Sequence, residues 1–128
     1  MRIFDTVADY AEEKGKEIGV SDWVEIDQGR INMFAEATGD HQWSHIDPER
    51  TQKELGMPTI AHGYLTLSLL PKLMGEISGV KSVTRGINYG SNSGRFTNMV
   101  PVGSRVRGRL TLKDTSPKSD GRQIINEV

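Results

Sequence analysis

Asp40, His41, His45 and His62 hold most of the chemistry open to this chain, and they fall within one short span. The sequence has no cysteine, so thiolate nucleophiles, thiolate metal sites and disulfides are excluded. Asp40 and His45 lie just beyond Gly39, on a stretch to Ile46 that has neither a helical nor a strand period. A carboxylate and an imidazole that reach one water can share its activation, one taking a proton while the other supplies one. Spacing alone also fits a turn aspartate and a partly buried imidazole with a satisfied hydrogen bond, and it favours that plainer reading. His41 and His45 stand four apart, as a helical metal pair would, with Asp40, Asp47 or His62 to complete the set. Gly39 before them and Asp47-Pro48 after them argue against a helix there, and no metal is expected. No glycine-rich phosphate loop follows a strand and no Gly-x-Ser-x-Gly elbow occurs, so no cofactor is expected either.

The elements that must position these groups follow from the same sequence. Thr6 to Lys14 reads as a short helix capped by Thr6, and Ser21 to Asp27 alternates as a strand does. Asp27 caps a helix from Gln28 to Ala37, which Gly39 stops. Asp47-Pro48 opens another helix that Gly56 and Pro58 end. The most apolar stretch, Thr59 to Met74, carries leucines at 65, 67, 69, 70 and 73. That spacing predicts a helix buried on most sides, with Pro71 kinking or ending it near its last turn. Gly63 falls in its first turn, where N–H groups lack partners and the helix dipole is positive. A glycine there admits a ligand oxygen, although tight packing explains it as well. Trp43 reads as a packing residue that fixes its loop. Beyond Gly79, short strands are expected at Ser82–Tyr89, Arg95–Phe96, Ser104–Thr115 and Arg122–Val128, with a turn over Ser116 to Gly121. Helices first and antiparallel strands second make an α+β domain.

The 128 residues suffice for one core, so residues 1–128 are expected to form a single domain. Sixteen basic and seventeen acidic residues nearly cancel and are dispersed, giving no nucleic-acid groove. The stretch around Leu65 is too short and too polar at its ends to span a bilayer, so no membrane association is expected. Met1 to Asp5 lacks an apolar signal region, which points to the cytoplasm.

The blocks Phe34-Ala35-Glu36-Ala37-Thr38-Gly39-Asp40-His41-Gln42-Trp43-Ser44-His45-Ile46-Asp47 and Ile60-Ala61-His62-Gly63-Tyr64-Leu65 resemble the MaoC-like (R)-specific enoyl-CoA hydratases. The Asp-His-Gln-Trp variant is similar to the subgroup containing nodulation protein N, as are Asn88-Tyr89-Gly90-Ser91-Asn92, Arg95-Phe96 and Val100 to Val106. The wider family has Asn-Pro where this chain has Gln42-Trp43, and Thr97-Asn98-Met99 departs from the proline-rich sequence of the subgroup. The resemblance implies a hot-dog fold, a long central helix wrapped by an antiparallel sheet, as a homodimer. It implies hydration of a trans-2-enoyl-CoA to the (R)-3-hydroxyacyl-CoA, with Asp40 and His45 as the catalytic pair. Gly63, with His62 and Ala61 beside it, would then face the thioester oxygen. Two other activities fit the same scaffold: a thioesterase, and an acyl-thioester binding subunit without turnover. The fold so implied has one strand more than the sequence carries after Arg122. The natural chain is therefore expected to continue past Val128, or a partner to cover the open face over Leu65, Leu69 and Leu73.

Overall fold

The computed structural model describes residues 1–128, which divide into two compact units. The first comprises Met1–Asp22, Leu70–Ser91 and Arg107–Val128, and the second Trp23–Leu69 and Asn92–Val106.

In the first unit, β1 (Arg2–Phe4) runs parallel to β4 (Ser78–Val80). Between them in sequence comes α1 (Val7–Ala11), which is one turn held by a reciprocal cap. The Thr6 hydroxyl accepts from the Asp9 N–H, and the Asp9 carboxylate accepts from the Thr6 N–H. A three-stranded antiparallel sheet in the order β2 (Glu17–Val20), β6 (Arg109–Lys118), β7 (Gly121–Glu127) forms the rest of this unit with α6 (Leu70–Ile77). Tyr10, Ile18, Ile77, Leu110 and Leu112 make its core, with Phe4, Met74, Val80 and Ile124 against it. Helix and sheet approach closely at two glycines. A Cβ on Gly19 would meet an Ile77 methyl at 3.0 Å, and one on Gly108 would meet Leu73 at 3.1 Å.

In the second unit, α2 (Gln28–Thr38) starts where the Asp27 carboxylate accepts from the Arg30 N–H. It stops at Gly39, whose φ of 80° is the left-handed conformation that a glycine adopts without strain. After the short α3 (Trp43–Ile46), Asp47 caps α4 (Pro48–Leu55), and Gly56 closes it with a φ of 63°. α5 (Gly63–Ser68) follows an extended run, and β3 (Val24–Glu25) pairs antiparallel with β5 (Arg105–Val106). Ile26, Ile31 and Ala35 are fully buried here.

Several sequence expectations need correction. The apolar stretch is not one helix buried on most sides: it breaks at Leu69 into α5 and α6. From Gly63 onward its buried positions are Leu65, Leu69 and Leu73, with Ile77 just beyond it, while Tyr64 and Leu67 are exposed. Pro71 directly follows that break, earlier in the stretch than the last turn where a kink was expected. It stands in the first turn of α6, where its missing N–H costs nothing. Ser82–Tyr89 and Arg95–Phe96 are not strands; residues 81–99 are exposed and without regular structure, and three glycines punctuate them. Ser21–Asp27 is strand only at Val24–Glu25, and Glu17–Val20 pairs instead, despite Gly19. The expected Ser104–Thr115 strand is two, because the chain changes partner at Gly108. There Ser21 donates its N–H to the Gly108 carbonyl, and its hydroxyl accepts the Gly108 N–H. Arg122 to Val128 does pair with the preceding strand, from Thr111↔Glu127 to Lys118↔Gly121, and the turn shrinks to Ser119-Asp120.

Candidate active site

Asp40 is placed by the end of α2. Gly39 turns the chain, and the Asp40 carboxylate accepts the Gln42 N–H at 3.3 Å. Gln42 leads into α3, a turn that the sequence pattern does not announce, and its carbonyl accepts the His45 N–H. Trp43 fixes that turn: the Arg50 guanidinium lies 4.5 Å over its ring, and its carbonyl accepts the buried Thr51 hydroxyl. His45 is thereby carried to 8 % exposure, while 55 % of the Asp40 side chain stays open to solvent. One group is held and the other is accessible.

The His45 ring has a defined tautomer. Its Nδ1 lies 2.7 Å from the Ile60 carbonyl, an acceptor only, so Nδ1 carries the proton and Nε2 keeps its lone pair. The same argument applies to His62, which is 3 % exposed. Its Nε2 lies 3.0 Å from the Asp40 carbonyl and 4.0 Å from the Asp40 carboxylate. Nε2 is therefore the donor, and Nδ1 is buried without a partner. The two imidazoles stack with centroids 3.9 Å apart and planes 25° apart, and the Phe34 ring lies tilted against His62 at 4.9 Å. One carboxylate oxygen of Asp40 and one ring nitrogen from each of these histidines lie within 4.8 Å of one another.

Such a group has the residue types of a metal site but not the donor geometry. Imidazole lone pairs lie in the ring plane, so two nearly parallel stacked rings do not aim theirs at a common point. His41, the other half of the helical pair considered from the sequence, turns away: its Nε2 lies 2.7 Å from Glu36 on the surface. That contact, followed by the Gly39 backbone, raises the His41 imidazole above its ordinary value of 6.5. A raised imidazole stabilises the fold below its unfolded value, and the gain is lost as pH climbs through the raised folded value. In an NMR titration, His41 is expected to show a midpoint above that of a free histidine, and Glu36→Gln is expected to lower it. An unchanged midpoint in the variant would remove the pairing as the cause.

Gly63 opens α5, where first-turn N–H groups have no intrahelical acceptor. The Ala61 N–H is already used, donating to the Val100 carbonyl at 2.8 Å, and Ala61 is buried. Phe96 lies over the glycine: a Cβ on Gly63 would come within 2.8–2.9 Å of three of its ring carbons. Tyr64 meets Phe96 edge-on at 5.9 Å, and both are largely exposed.

Two residues of this neighbourhood escaped the sequence reading. Gln28, read there only as a helix start, donates to the His45 carbonyl at 2.8 Å, and the Thr59 hydroxyl donates to Gln28 Oε1 at 2.5 Å. Thirty-one positions separate Gln28 from Thr59, and no local pattern links them.

The MaoC like domain matches residues 9–128. The 3-hydroxyacyl-thioester dehydratase Z of Mycobacterium tuberculosis is 50 % identical over 121 residues, covering 94 % of this chain and 80 % of that protein. Nodulation protein N of Rhizobium leguminosarum bv. viciae is 45 % identical over 113 residues, covering 85 % and 69 %. Among solved structures, the R-hydratase PhaJ1 of Pseudomonas aeruginosa superposes with a TM-score of 0.67 at 21 % identity, covering 90 % of this chain and 72 % of that one. The chain belongs to the MaoC-like dehydratase family and is accordingly an enzyme of the hydro-lyase class. Its fold is the α+β hot-dog fold. No helix is long and apolar enough to cross a membrane.

Proposed function

We propose that this protein adds water to a trans-2-enoyl thioester, giving the (R)-3-hydroxyacyl thioester, and catalyses the reverse dehydration. One observation carries the reading: an Asp40 carboxylate oxygen and a His45 ring nitrogen lie within 4.8 Å, with His45 Nδ1 already committed to Ile60. A water about 2.8 Å from each group fits that separation. His45 Nε2 takes one proton from this water, whose other hydrogen stays on the oxygen and donates a hydrogen bond to the Asp40 carboxylate, and the oxygen bonds to C3. The electron pair of the double bond moves through C2 onto the thioester oxygen. Collapse of that enolate takes at C2 the proton that His45 Nε2 removed from the water, so one water is added and the pair is restored. The backbone N–H of Gly63 is the donor this reading assigns to the thioester oxygen, with His62 and Ala61 completing the wall beside it. Donors aimed where charge develops are worth most where water is excluded. His62 serves the pair in a second way, since its donor holds the Asp40 backbone and its ring backs His45.

The name of the dehydratase relative supports an acyl thioester as the substrate class. The test is to give the purified protein crotonyl-CoA, following loss of the conjugated double bond beside release of free thiol. Hydration without thiol release is expected. Thiol release would make the protein a thioesterase, and binding without turnover would make it an acyl-thioester binding subunit.

A further inference from the structure

We infer that Gln28 is a positioning residue for His45, one side-chain amide to which both anchors of the imidazole are referred. The inference rests on the assignment of His45 as the proton-transferring group. His45 is held at two places: its own backbone, and the Ile60 carbonyl that accepts its Nδ1–H. Gln28 reaches both. Its Nε2 donates one hydrogen to the His45 carbonyl at 2.8 Å and the other to Asn32 Oδ1 at 2.9 Å. Its Oε1 accepts the hydroxyl of Thr59, the residue before Ile60. The loop is closed by the Ile60 N–H, which donates to the carbonyl of Ser44, the residue before His45.

The amide can sit only one way round, because a flipped group would set Oε1 against the His45 carbonyl oxygen. Both hydrogens and the oxygen are then used. Thr59 is fully buried, so its hydroxyl has no water to replace Gln28. A polar contact with every member satisfied is rigid, and one with a member removed leaves a buried group unpaired. Loss of the amide would let the His45 carbonyl and the Ile60 carbonyl drift apart. The bond that fixes the His45 tautomer would loosen, and the free lone pair would no longer be confined to Nε2. The hydrogen bonds of the Gln28 side chain go to Asn32, His45 and Thr59 and not to Asp40 or Gly63, so substrate binding should be spared.

Gln28→Met keeps the length of the side chain and removes its polar atoms; Thr59→Val removes the hydroxyl, and Thr59→Ser retains it. With crotonyl-CoA, Gln28→Met and Thr59→Val are expected to lower kcat about 10- to 100-fold while KM changes less than about twofold. The double variant should be no worse than the poorer single one, and Thr59→Ser should stay near wild type. The acid limb of the kcat/KM profile should move in the two impaired variants, which a loss of folded protein alone would not cause. NMR of the imidazole nitrogens supplies a readout independent of activity: a single Nδ1–H tautomer at His45 in the wild type, and a mixture in Gln28→Met. Should Gln28→Met fail to fold, the contrast between Thr59→Val and Thr59→Ser carries the test. A folded Gln28→Met with wild-type kcat, pH profile and tautomer would overturn the assignment, as would strictly additive losses. If the wild type hydrates no enoyl thioester, the proposed activity falls, and the tautomer spectra alone decide whether Gln28 positions His45.

Discussion

Asp40→Asn and His45→Asn are each expected to lower the turnover of crotonyl-CoA hydration by about 10²- to 10⁴-fold, the range over which a positioned acid or base contributes. The two substitutions probe different things. Asp40 is half exposed and its carboxylate holds a single backbone N–H, so Asn keeps the turn and removes only the charge. His45→Asn retains a donor near the position of Nδ1, able to reach the Ile60 carbonyl, and deletes Nε2. If the two groups act on one water, the double variant should lose little beyond the worse single one. Independent, multiplying losses would mean that they serve separate steps. Circular dichroism and thermal melting of each variant accompany the kinetics. Near-wild-type hydration by either folded variant would remove that residue from the chemistry.

Gly63→Ala is expected to be the second most damaging change, costing up to about 3 kcal/mol of transition-state stabilisation, the worth of one such donor. Its cause can be separated with a second substitution. The added methyl collides with the Phe96 ring, which is exposed enough to swing aside. Were that collision the whole effect, Phe96→Ala in the same chain would restore activity. Were the methyl instead to keep the thioester oxygen from the Gly63 N–H, Phe96→Ala would restore nothing. The second pattern is the expected one, read as kcat/KM in the four members of the cycle. Unchanged kcat/KM in Gly63→Ala would leave the glycine with a packing role only.

How much of this was legible in advance depended on the range over which each residue acts. Asp27, Gly39, Asp47-Pro48 and Gly56 set helix ends through contacts a few residues away, and the sequence marks them where the structure has them. Asp40 after a helix stop and His45 on the segment beyond it were visible as candidates on the same grounds, but spacing favoured a turn residue and a packed imidazole, and only the resemblance of the surrounding blocks implied a pair. The stack of His45 on His62 and the amide of Gln28 depend on residues brought together from distant parts of the chain, and spacing carries no trace of them. Glu17–Val20 was missed for a related reason. Gly19 lowers its strand propensity, yet the Ile77 methyl above it makes that small residue necessary. The opposite error fell on Ser82–Tyr89. Its β-branched and aromatic residues look like a strand, but no neighbouring strand accepts its backbone.

The order of strands in the three-stranded sheet bears on how the chain is made. β2 lies at one edge and its sole neighbour is β6, so Val20 pairs with Arg109 and Glu17 with Thr111. A ribosome adds about 5–20 residues per second, so β2 waits on the order of 5–20 s for its partner to be synthesised. The β6–β7 hairpin, by contrast, can close as soon as its two-residue turn has emerged. During that delay Ile18 has no sheet to cover it and the edge groups of β2 are open to other chains. Nascent chains halted before Arg109 should therefore be protease-sensitive around Glu17–Val20, and those extended past Glu127 protected there.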